Sequence, residues 1–207
     1  QADDYIYQIK RLAHPRLNSP VYGLMADNIV GLRELGESLR RAAKAPGWLD
    51  LRHQALAGVE RVDAHTFRIR LKGRYPQFVY WLAMPYFAPM PWEAEAFFAQ
   101  EGMAEKNFNL NWWPVGTGPF MLVENDPNAR MALVRNPNFR GEPYPSEGAP
   151  EDREAGLLAD AGKAMPFLDE IRFVREREAI PFWNKFLQGY YDQSGIPADT
   201  FDNAVRM

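Results

Sequence analysis

Cysteine is absent from the 207 residues, so disulfides, thiol nucleophiles and thiolate metal sites are all excluded, and the redox state of the compartment leaves no mark on the chain. Histidine is scarce. His14, His53 and His65 stand far apart, none pairs at the four-residue spacing of a metal-binding helix, and no carboxylate completes a ligand set beside them. Neither a metal nor a cofactor is therefore expected. No apolar run approaches the ~20 residues that span a bilayer. An excess of positive charge is lacking too: 24 Lys and Arg stand against 27 Asp and Glu, with both signs dispersed. Without a basic stripe to neutralise phosphates, nucleic acid is excluded as a partner. The start, Gln1-Ala2-Asp3-Asp4, has no basic region, apolar core or cleavage site of a signal peptide. A processed secreted chain and an internal piece of a longer one would both read this way, and the abrupt start inside a helical pattern favours the piece.

What is present is an ordinary globular composition, 46% apolar and 25% charged, with an unusual 14% of Phe, Tyr and Trp. Catalytic patterns are weak. No serine sits in a G-x-S-x-G elbow. Gly116-Thr117-Gly118 is followed by Pro119, which has no N–H for a phosphate cradle, and by a strand pattern in place of a helix. These glycines are expected to supply special backbone angles or close packing. The carboxylate pairs Glu93/Glu95 and Glu124/Asp126 read as solvated helix face or turn caps in preference to an acid–base dyad. The aromatic doublets suit either an organic-ligand pocket or, more commonly, packing edges with one ring inward. The chain is accordingly read as a binder, not an enzyme.

The elements are mixed. Tyr5, Ile9 and Leu12 form a helical stripe that His14-Pro15 ends, and Leu32, Leu35, Leu39 and Ala43 form a second, closed by Ala45-Pro46-Gly47. GVERVDAHTFRIRL alternates as a β-hairpin turning at Asp63-Ala64-His65. Residues 75–83 predict a short aromatic helix, and Pro91 takes the first position of another running to about Gln100. FMLVEN (120–125) and RMALVRN (130–136) predict a second hairpin around Asp126-Pro127-Asn128. Residues 137–166 predict a long exposed loop, IRFV (171–174) a further strand, and AIPFWNKFLQG a helix stopped by Gly189.

Taken in order, these segments resemble the family 5 solute-binding proteins, the oligopeptide, dipeptide and nickel receptors of ABC importers. DDYIYQIKRLAHPRLNSP is similar to the family's A-x-D-F-V-Y-S-x-x-R-L-x-D-P, with Tyr7, Arg11, Leu12 and Pro15 matching and Tyr5 and His14 departing. PVGTGPFMLVENDPNARMALVRNPNF carries the most specific signature, P-V-G-T-G-P-F, a hairpin, then R-N-P-x-Y/F. LDEIRFV and FLQGYYD resemble the closing strand and the L-x-x-G-E-I-D segment, with Tyr190-Tyr191 where Glu-Ile is commoner.

The resemblance implies a mixed α/β fold of the type II periplasmic-binding-protein kind. It further implies an internal piece, since complete members are more than twice as long, holding part of an accessory domain (residues 1–83) and the central part of the first lobe (84–207). It implies capture of a peptide or similar small solute by hinged lobes outside the cytoplasmic membrane, in the periplasm or its equivalent, and delivery to an ABC permease that keeps the receptor at the membrane. Two places match cleft-facing positions: Tyr7 and the turn Ser194-Gly195-Ile196. A glycan receptor of the same fold, motivated by the tryptophans, a sensor presenting its solute to a membrane receptor, and a peptide hydrolase, disfavoured for want of a catalytic constellation, are the alternatives. The isolated chain is expected to bind solute poorly.

Overall fold

In the computed structural model, which describes residues 1–45 and 47–205, the first stripe becomes α1 (Ala2–Leu12), with Asp3 and Asp4 in its first turn and Lys10 and Arg11 in its last. That charge order complements the helix dipole at both ends. Ile9 and Leu12 are buried as expected, while Tyr5 stays 40% exposed and stacks on Phe67 with centroids 5.4 Å apart. After α2 (Tyr22–Asn28), the second stripe forms α3 (Leu32–Ala42), whose Leu32, Leu35 and Leu39 pack with Met25, Ile29, Leu51 and Leu56. Pro46, in the predicted closing turn, lies outside the described residues.

The first hairpin pairs β1 (Val59–Arg61) with β2 (Phe67–Ile69). Its turn is fixed by the Asp63 carboxylate, which accepts from the backbone N–H groups of His65 at 2.7 Å and Thr66 at 2.8 Å. Phe67 and Ile69 lie against the core while Arg68 pairs with Glu60 on the wet face. Then come α4 (Phe78–Leu82) and α5 (Trp92–Phe98), with Pro91 at the N-cap and not at the first helical position.

The chain divides into two compact units, Gln1–Val115 and Gly116–Met207. The chain on both sides of Ala83 packs within the first of these units. Phe87, 3% exposed, meets Phe78 edge-on at 6.2 Å, Met90 and Trp92 pack on the same core, and the Met90 N–H reaches the Asp4 carbonyl at 3.2 Å. Burying Phe87 ties the proline-rich stretch to the first unit.

In the second unit β3 (Phe120–Asp126) and β4 (Arg130–Arg135) pair antiparallel, with a register shift between Leu122 and Glu124. The predicted turn is present, Asp126 Oδ1 accepting from the Asn128 N–H at 2.9 Å. The signature's two ends meet through Asn136. Its Nδ2 donates to the Gly118 carbonyl at 2.9 Å, its N–H to the Pro119 carbonyl at 2.8 Å, and its Oδ1 accepts from the Asn138 N–H at 3.0 Å. Gly116 and Gly118 correct the expectation placed on them: neither has a positive φ, and a Cβ on either would meet nothing within 4 Å.

The predicted loop 137–166 is exposed but not structureless, holding β5 (Glu142–Pro143) paired with β6 (Ala164–Met165) and, between them, α6 (Pro150–Glu154). The strand β7 (Glu170–Val174) completes a three-stranded sheet in the order β3-β4-β7. The helix α7 (Ala179–Leu187) ends as predicted. Gly189, at φ +78°, lets its own N–H reach the Phe186 carbonyl and the Tyr190 N–H reach the Lys185 carbonyl, both at 2.9 Å, a Schellman closure. A short α8 (Phe201–Ala204) follows.

Candidate functional site

Helical spacing puts Tyr7, Gln8 and Arg11 of α1 toward the stretch that carries α5. The Tyr7 hydroxyl donates to Glu95 Oε2, and Arg11 Nε donates to Glu95 Oε1 at 3.0 Å. Arg11 Nη1 also reaches Gln8 Oε1 at 2.9 Å, and Gln8 Nε2 donates to the Tyr86 carbonyl at 2.8 Å. Tyr7 is 4% exposed. Burial, and then the hydrogen bond to a carboxylate, push its phenol well above the usual range, so it remains a protonated donor. The Arg11 and Glu95 side chains are 13% and 14% exposed. Glu95 therefore corrects the expectation of a solvated helix face: it is a partly buried carboxylate held by a guanidinium and a phenol. Glu124 and Asp126 do behave as expected, one in an exposed pair with Arg130 and the other in the hairpin turn.

Beside this cluster Lys10 Nζ donates to the carbonyls of Leu51 and Arg52, both at 3.1 Å. Loss of water lowers the Lys10 pKa. The loop so held places the Arg52 guanidinium 3.8 Å from the Trp92 ring centre and 5.5 Å from that of Trp48, with its Nη2 2.7 Å from Asp50 Oδ2. The Arg52 hydrogen bond keeps Asp50 below the usual carboxylate range. His14 is buried, its Nδ1 accepting from the Arg16 N–H at 3.2 Å, and burial depresses its pKa. Apart from the buried Trp48 indole N–H, which has no partner among the described residues, these groups satisfy one another, and the cluster clasps α5 and the 48–53 loop onto α1. Neither the Glu95 clasp nor the Lys10 anchor was found from sequence, because both join residues tens of positions apart. The one usable signal was Arg11, fixed next to Tyr7 on the α1 face.

The second candidate lies in the second unit. Ser194 is half-buried, its Oγ donating to the Gly195 carbonyl at 2.9 Å, while Gly195 is exposed and Ile196 is 48% exposed. A side chain added at Gly195 would meet nothing within 4 Å. Residues 192–196 belong to no helix or strand, Ser194-Gly195-Ile196 form an irregular segment where a turn was expected, and the 3-10 turn Ala198–Thr200 follows. Just upstream, Glu176 Oε1 accepts from the Tyr191 hydroxyl at 2.5 Å and from Lys185 Nζ. Among the described residues no group of three or more His, Cys, Asp or Glu could hold a metal, and no helix is long and apolar enough to cross a membrane.

The sequence profile of the bacterial extracellular solute-binding proteins, family 5 Middle, matches residues 1–201. Among solved structures, OppA of Burkholderia pseudomallei superposes with a TM-score of 0.65 at 19% identity, over 99% of this chain and 33% of its own. The Escherichia coli murein tripeptide binding protein MppA gives 0.65 at 19% identity, over 100% of this chain and 33% of its own. Haemophilus influenzae OppA, in complex with the peptide RPPGFSPFR, gives 0.64 at 16% identity, over 98% and 32%. This chain thus spans about a third of the length of the solved structures it matches, and its fold is the corresponding part of the type II periplasmic-binding-protein fold. No curated protein matches the sequence.

Proposed function

The chain belongs to the family 5 bacterial extracellular solute-binding proteins, and on that premise we propose that it forms part of a receptor that captures a peptide or similar small solute outside the cytoplasmic membrane and passes it to an ABC permease. The observation that carries this reading is the family match along residues 1–201, joined to structural likeness with peptide-binding proteins over nearly the whole chain. Capture is reversible and non-covalent, with closure of the receptor's lobes burying the solute and marking the loaded state.

Within this chain the proposed solute contact is the turn Ser194-Gly195-Ile196, where exposed backbone and the open approach to Gly195 suit recognition of a peptide through its main chain. Tyr7, in the first unit, is proposed to hold Glu95 and not to touch the solute itself, being 4% exposed with its hydroxyl committed to that carboxylate.

The test is calorimetry on the complete gene product with a tri- to pentapeptide pool, followed by its strongest binder alone. Saturable heat with no change in the peptide is the expected result. Hydrolysis of the peptide by the purified protein, or no binding from the pool, would overturn the reading.

A further inference from the structure

Tyr190-Tyr191 stood out in the sequence, and the structure gives the second of the pair a partner. The closure at Gly189 reverses the chain after α7 and returns Tyr191 toward residue 176, between β7 and α7. There its hydroxyl donates to Glu176 Oε1 at 2.5 Å, its ring packs 5.1 Å from that of Phe182, and Lys185 Nζ, which also donates to Glu176, lies 6.0 Å from the ring centre. Downstream, Thr200 holds the Pro197 carbonyl through both its Oγ1 (3.1 Å) and its N–H (3.0 Å). Residues 192–196 thus follow the Tyr191 anchor without regular structure of their own and lead into that local turn. Such a segment takes its position from the residue that ties it to the body, as a loop site is placed by its supporting scaffold.

We infer that Glu176 is a positioning residue for the turn Ser194–Ile196: by fixing Tyr191 it sets where that turn meets the solute. This rests on the reading of the turn as a solute contact. The acceptor is charge-assisted on one side by Lys185 and receives a phenol on the other, and such bonds are stronger than neutral ones. Tyr190, 73% exposed, provides the adjacent control position.

The experiment uses the complete gene product and the strongest binder from the peptide pool. Tyr191→Phe keeps the ring and removes the hydroxyl, and Glu176→Gln keeps the shape and removes the charge. Each should speed amide exchange at residues 192–196 and raise Kd by roughly tenfold, with the melting temperature nearly unchanged. Glu176→Gln can still accept from the Tyr191 hydroxyl but loses the charge, so its effect should be no larger than that of Tyr191→Phe, and the double variant should be no worse than Tyr191→Phe alone. Tyr190→Phe should leave exchange and Kd as they were. Ile196→Ser, a direct change to the turn, separates the levels. If it raises Kd while Tyr191→Phe and Glu176→Gln do not, the turn binds solute but Glu176 does not position it, and the inference falls. If neither Ile196→Ser nor those two variants move Kd, the turn is not a contact, and the reading beneath the inference falls with it.

Discussion

The first unit leaves Met25, Ile29, Leu32, Leu39 and Leu51 with no measurable exposure, whereas among the described apolar side chains of the second only Ala132 (5%) and Trp183 (8%) are buried. The difference follows from layering. In the first unit helices and a hairpin close around one cluster on several sides. In the second the register puts Phe120, Leu122, Met131, Leu133, Ile171 and Phe173 on one face of a single sheet, and Glu124, Arg130, Glu170 and Arg172 on the other. A stable domain needs a second layer over such an apolar face, and Phe173 on it is 54% exposed. The first unit therefore holds its own core, while the second has an apolar face without one.

The largest effect should come from attacking that contrast at its stronger end. Leu39→Ala removes a fully buried side chain and should cost about 4 kcal/mol, while Leu133→Ala, on the half-covered face, should cost about 1 kcal/mol. Urea unfolding followed by amide exchange in each unit reads both. Equal costs would mean that the two regions are packed alike.

Next in size is the Glu95 clasp. Glu95→Ala leaves the partly buried Arg11 with Gln8 but without its carboxylate and should cost about 2 kcal/mol, with exchange rising first along α5, none of whose side chains is buried. Glu95→Gln, which can still accept from Tyr7, should cost less. No loss from Glu95→Ala would show that α5 is held by Trp92 and Phe87 alone.

How far the sequence anticipated this depends on the range of the contact. The stripes of α1 and α3, the Asp63 and Asp126 turns and the stop at Gly189 all rest on residues within a few positions of each other, and each was legible from spacing. The Glu95–Arg11 pair and the Lys10 anchor were not, because separations of 84 and 41 residues leave no periodic trace. For the same reason the chain around Pro85-Pro91 reads as a connector, and only the burial of Phe87 against Phe78 shows that it packs with the core before it. The β5–β6 pair, two residues in each strand, is too short for alternation to show. Tyr7 was singled out from the family motif, but its commitment to Glu95 needed the fold.

A smaller effect concerns pH and falls only on the first unit. Burial lowers the pKa of His14, Arg11 and Arg16 act in the same direction and Glu95 against it, so the folded chain favours neutral imidazole. The unfolded chain takes up that proton near the ordinary value of about 6.5. Stability from this group is thus complete above that pH and declines as pH falls through it toward the lowered folded value. Melting curves between pH 7.5 and 5 should show a decline that His14→Gln flattens. An equal decline in the variant would assign it to other groups.

The smallest change in stability is expected where the second unit is least covered. Phe173→Ser alters a side chain that is 54% exposed on the apolar face, opposite Met131 in the register. Little burial is lost, so the urea midpoint of the isolated chain should shift by no more than about 0.5 kcal/mol. Association should respond more strongly. Phe173 adjoins Met131, and β7 is an edge strand whose outer backbone groups can template pairing with another chain. Sedimentation of the isolated chain should therefore show concentration-dependent self-association that Phe173→Ser reduces, while a matched change at Tyr80, 72% exposed in the first unit, leaves it as it was. Were Tyr80→Ser to reduce association equally, exposed aromatic area alone would explain it, and the contrast between a closed core and an open sheet face would lose its consequence.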